Sequence, residues 1–95
     1  MDEFEVRMAA LRARFVARAI AEGDSIRSHL AQRELAEVRD LCHGLVGTAG
    51  TFGYPAISEA ALAVEEAIEA GAEDDALEAL CAPLMQQLEA LRQGR

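Results

Sequence analysis

LAEVRDLCHGLVGTAGTFG, residues 35–53, is the stretch on which the rest of the chain is read. Leu35, Val38, Cys42, Leu45, Ala49 and Phe52 recur within it at steps of three and four, the period of one face of an α-helix. Gly44, Gly47 and Gly50 interrupt the same span. Each glycine inside a helix costs roughly 0.5–1 kcal/mol relative to alanine, so together they forgo about 2–3 kcal/mol. That is a large share of a small domain's stability, and folding alone does not need it. At about 100° per residue, His43 lies about 160° from Leu45, so it points away from the apolar stripe. Gly47 falls about 40° to one side of His43 and Gly50 about 20° to the other. The imidazole is therefore expected on the surface, beside a strip of helix without side chains, where another molecule can approach closely. Gly44, about 100° off that line, is expected to serve close helix packing instead.

Outward from this helix, three more stripes follow the same period. Phe4, Met8, Leu11, Phe15, Ala19, Ile26 and Leu30 mark a first helix over about residues 3–30. Gly23-Asp24 is a possible break, with Asp24 able to cap a second piece, but the apolar phase continues across it and favours one long helix. Gln32, Arg33 and Glu34 make a short connection. After the turn at Tyr54-Pro55, with Pro55 suited to a first helical turn, Ile57, Ala61, Leu62, Val64 and Ile68 define the third face, closed by Gly71. Asp74 or Asp75 opens the fourth helix, carried by Leu77, Leu80, Cys81, Leu84, Leu88 and Leu91. Pro83 interrupts that run and predicts a kink or an N-terminal break. Four amphipathic helices with short links predict an all-α, antiparallel up-and-down four-helix bundle, one domain over residues 1–95.

Composition agrees. Alanine and leucine dominate the apolar 52% and aromatics are only 4%, which favours helix over strand. A net charge of −8 repels a nucleic-acid backbone, so no nucleic-acid partner is expected. Arginine supplies every basic residue, mostly before residue 40, while the last forty residues are strongly acidic. Cys42 and Cys81 lack any paired spacing and read as reduced core residues. Asp2, Glu3 and Glu5 are unlike a signal peptide, and no apolar run approaches a membrane span. A cytoplasmic protein without membrane association is expected.

The region from His43 to Gly53 resembles the signature of histidine phosphotransfer (HPt) domains of bacterial phosphorelays. That signature has a histidine, an apolar residue two on, a basic residue three on, a glycine four on, a small or hydroxyl residue five on and a glycine ten on. His43, Leu45, Val46, Gly47, Thr48 and Gly53 occupy those places, and the likeness covers about residues 35–70. The resemblance implies that Nε2 of His43 accepts a phosphoryl group from a receiver-domain aspartate and passes it to another. It implies as partners the receiver domains of a response regulator and a hybrid histidine kinase. The protein would then be a carrier and not an enzyme, with the metal and catalytic groups on the partner and no cofactor or metal of its own. Imidazole is substantially unprotonated and nucleophilic near neutral pH. Arg39, Asp40, Val46, Gly47, Thr48 and Gly50 form the expected docking surface and phosphate environment.

Val46 departs from the pattern, because valine cannot attract phosphoryl oxygens as a lysine or arginine would. Arg39, one turn before His43 and about 40° away, is a candidate for that charge or a surface arginine paired with acids. Asp40 either orients the ring or is a plain surface acid, and His29 reads as structural. Three other functions compete. Val46 favours a scaffold that keeps the fold without phosphorylation. A di-metal bundle needs Glu-x-x-His on two helices, and only Asp40-Leu-Cys-His43 comes near that. A dimeric histidine-kinase stem would be expected with an ATP-binding domain, whose motifs are missing. A monomer is expected.

Overall fold

A computed structural model of the protein describes residues 2–94. It contains four helices: α1 (Glu3–Ala31), α2 (Leu35–Thr51), α3 (Pro55–Glu69) and α4 (Asp74–Arg92). Each packs on its neighbour in the chain and α4 closes back on α1, as an up-and-down bundle requires. No described residue lies in a strand, and no helix of the structure is long and apolar enough to cross a membrane.

The turns follow from local chemistry. Asp2 caps α1 by accepting a hydrogen bond from the backbone N–H of Glu5 at 2.8 Å. Gly53 and Gly71 take positive φ angles of 86° and 74°, a region that favours glycine. At the end of α2, Tyr54 N–H donates to the Ala49 carbonyl at 2.8 Å. At the end of α3, Ala72 N–H donates to that of Ala67 at 2.9 Å. Both are the bond of a Schellman cap. The turn after α1 uses the same bond, from Glu34 N–H to the His29 carbonyl at 2.9 Å, but with Arg33 at φ 59°. Arginine is an uncommon residue there, and an ion pair to Asp74 at 2.6 Å holds its side chain on α4.

The core is built from the expected stripes: Phe15, Ala19 and Ile26 from α1; Val38, Cys42, Leu45 and Ala49 from α2; Ile57, Ala61 and Val64 from α3; and Leu77, Cys81, Leu84, Leu88 and Leu91 from α4. Phe15 also stacks on Phe52 and Tyr54, with ring centroids 5.5 and 5.3 Å away, which fixes the α2–α3 turn against α1.

α1 is the one long helix expected: it does not break at Gly23, because that glycine is buried where α4 crosses it, and an added Cβ would lie 2.9 Å from Leu88 Cδ1. Three expectations need correction. α4 likewise runs unbroken through Pro83, which is exposed, as is Ala79, whose carbonyl loses its usual helix donor to the proline and is left to water. Leu62 and Leu80 lie at the edges of their stripes and are exposed. The stripe of α1 also outruns its partners: Phe4 is 70% exposed and Leu11 42%, because residues 3–14 project past the other helices. Burial of a phenylalanine is worth about 1.5–3 kcal/mol, which Phe4 does not gain within one chain.

Candidate functional site

The inner residues of α2 leave its opposite side to solvent, and His43 stands there with 68% of its side chain exposed. The ring is nevertheless held. Its Nδ1 lies 2.6 Å from Oε2 of Glu65, on α3, and the Glu65 side chain is only 8% exposed. An ionised carboxylate accepts hydrogen bonds and cannot donate, so Nδ1 carries the proton and donates to Glu65. In the neutral ring the lone pair is then on Nε2. One nitrogen is anchored to a buried group while the ring remains open to solvent.

Glu65 has a second neighbour, Arg39, whose Nη2 stands 3.8 Å from the same oxygen. Arg39 is mainly engaged elsewhere: its Nε and Nη2 donate to Glu69 Oε2 at 3.0 and 2.7 Å, and its Nη1 donates to Asp40 Oδ1 at 3.1 Å. Hydrogen bonding to Glu69, then to Asp40, raises the guanidinium above its ordinary pKa. Asp40 therefore holds Arg39, and the acid that orients the ring is Glu65. Ser58 adds a further pin between the helices, its hydroxyl donating to the Val46 carbonyl at 2.7 Å.

The other side of His43 is bare. Gly44, Gly47 and Gly50 are all exposed. A Cβ added at Gly44 or Gly47 would meet nothing within 4 Å, and one at Gly50 only Ser58 Oγ at 3.7 Å. Gly44 therefore does not serve helix packing, as was expected of it; it widens the open strip. Thr48 and Thr51 turn their hydroxyls inward, donating to the carbonyls of Gly44 and Gly47 at 3.0 and 2.9 Å. Val46 is half-buried against the core, which suits an apolar side chain at that position. His29 lies apart near the end of α1, bonded through Nδ1 to Glu34 Oε1 at 2.9 Å.

The model of the Hpt domain family matches residues 10–94, nearly the whole chain and all four helices in part or entire. The protein belongs to the Hpt domain family. Hpt domains are phosphoryl carriers of two-component signalling, not turnover enzymes, and their partners are receiver domains. No curated protein and no solved structure shows significant similarity to the chain.

Sequence reasoning missed Glu65, although a signal was present. Glu65 lies four residues after Ala61 and three before Ile68, in the register of the buried face of α3. A charged residue at a stripe position needs a partner, because an unpaired buried carboxylate is costly. Among the described residues no group of three or more His, Cys, Asp and Glu is arranged to hold a metal ion.

Proposed function

We propose that this Hpt-family protein carries a phosphoryl group on Nε2 of His43, relaying it between receiver-domain aspartates of a hybrid histidine kinase and a response regulator. The observation that carries the reading is the ring itself, exposed for attack yet tied through Nδ1 to buried Glu65 beside a strip of open glycines. The Nε2 lone pair attacks the phosphorus of an aspartyl phosphate. An N–P bond forms, the acyl P–O bond breaks, and the aspartate leaves with the electron pair as carboxylate. The ring, still protonated on Nδ1, becomes cationic, and the Glu65 carboxylate balances that charge. Passing the group on reverses each step. Gly44, Gly47 and Gly50 leave room for the partner to bring its aspartate, and the metal this chemistry uses, up to the ring.

Arg39 stands on the Glu65 side of the ring, but Glu69 and Asp40 already offset its charge. Replacing Arg39 with alanine tests its part: slower transfer in both directions puts it in the phosphate environment. Unchanged rates assign it to bracing α2 on α3. The reading as a whole is tested with a phosphorylated receiver domain and labelled phosphate. Acid-labile, base-stable label on the wild type that disappears in His43→Ala is expected. Absence of label with every receiver tried would turn the reading toward a scaffold, the alternative that Val46 favours.

A further inference from the structure

We infer that two copies of this chain pair antiparallel through the projecting half of α1, with Phe4 of each seated in an apolar groove of the other. Two observations call for a partner. Residues 3–14 are exposed on every side except at Met8, so Phe4 and Leu11 form a stripe with no place in their own bundle. Where the helix enters the bundle, Leu11, Phe15, Ala19 and Phe52, flanked by Arg14 and Arg18, line an open groove of about 170 Å³. A single chain thus carries an unburied aromatic on α1 and an unfilled apolar groove between α1 and the end of α2.

The spacing fits them to each other. Phe4, Met8, Leu11 and Phe15 recur at four, three and four residues, the a/d seam of a two-stranded coil. An antiparallel pair that sets Met8 against the second copy's Leu11 also brings Phe4 to the second copy's Phe15, at the groove. The contact is self-complementary, as a two-fold dimer requires.

Charge selects the orientation. Glu5 and Arg12 flank the seam on one side, and neither has an ion pair among the described residues. In the antiparallel pair each Glu5 faces the second copy's Arg12, twice by symmetry. A parallel pair would instead bring Arg7 of one chain beside Arg12 of the other. The antiparallel pair also brings Arg7 near Arg14 of the second copy, but Glu3 already pairs with Arg7 at 3.1 Å and blunts that repulsion. Phe52 lies about 180° around α2 from His43, so pairing leaves the imidazole open. A dimer replaces the monomer expected from the sequence.

Sedimentation equilibrium on the full chain, from about 1 µM to about 1 mM, is the test. The mass is expected to rise from 10.2 kDa toward twice that value. Phe4→Glu should stay monomeric throughout, with unchanged helical circular dichroism and unchanged phosphoryl uptake at His43. Glu5→Arg or Arg12→Glu alone should weaken pairing about tenfold. An equal mixture of those two variants should regain it, because each then faces the opposite charge. A wild-type mass of 10.2 kDa at every concentration overturns the inference and gives the groove to another partner. So does a dimer indifferent to Phe4→Glu, or a mixture no tighter than its components.

Discussion

His29 and His43 make the same bond in opposite settings. Each donates from Nδ1 to a glutamate, at 2.9 Å for His29 and 2.6 Å for His43. The glutamate of His29 is Glu34, five residues on and 44% exposed at its side chain, whereas Glu65 comes from another helix and is 8% exposed. The rings differ in the reverse sense: His29 is 33% exposed and His43 68%. A local glutamate in water can swing away with its own turn, and its bond to a histidine is worth little. A glutamate fixed in the packing between two helices cannot, so it sets both the tautomer and the direction of a ring that is otherwise free. Anchorage combined with access distinguishes the site, and a histidine–carboxylate contact alone does not.

The largest effect expected from this contrast is on phosphoryl uptake. His43→Ala should lower it by at least about a thousand-fold, while His29→Ala should leave it within about twofold, read as acid-labile label per chain. Equal losses in the two variants would make the difference between the settings irrelevant. Access comes next. Gly47→Leu puts a bulky side chain on the open strip, and transfer should slow by tens of fold as the partner is held off. Thermal stability should not fall, because leucine is the better helix former and a Cβ there meets nothing within 4 Å.

Anchorage is tested by Glu65→Gln against Glu34→Gln. The first should slow transfer about tenfold, equivalent to about 1.4 kcal/mol, and disturb the imidazole ¹⁵N shifts of His43; the second should change neither. Unperturbed shifts in Glu65→Gln would mean that the carboxylate does not select the tautomer. The smallest effect concerns the inner face of the same helix. Cys42, next to His43 in sequence, is fully buried, and burial pushes its thiol up to about 12 from an ordinary 9.0. A folded pKa above the unfolded one leaves stability untouched below pH 9.0 and erodes it between there and about 12. Urea titrations should show a loss of about 1 kcal/mol from Cys42 by pH 10. The loss should be smaller in Cys42→Ala, the remainder coming from Cys81, whose thiol is also pushed up by burial.

The bundle was legible because its signals are local. Stripes at three and four residues, Pro55 in the first turn of α3, and glycines at 53 and 71 each act within a turn or two of their own position. The outward placement of His43 came from the same arithmetic. What stayed hidden depends on how helices meet. Glu65 reaches His43 only through the register of α3 on α2. The burial of Gly23 reflects where Leu88 crosses α1, which no spacing within α1 reveals. Phe4 and Leu11 keep the period of the core, but the helices that would cover them end first. Arg39 had two readings that sequence could not separate; its bonds to Glu69 and Asp40 favour the paired one.

The groups arrayed around the imidazole, Arg39, Asp40, Gly47, Ser58, Glu65 and Glu69, all belong to α2 and α3. These two helices are joined by only Phe52, Gly53 and Tyr54. The proposed site is thus carried on a single helical hairpin, and α1 and α4 act as its scaffolding. If the proposed site is the working one, sequence drift or redesign confined to the scaffolding should alter assembly and thermal tolerance while the site itself travels unchanged as one transplantable cassette.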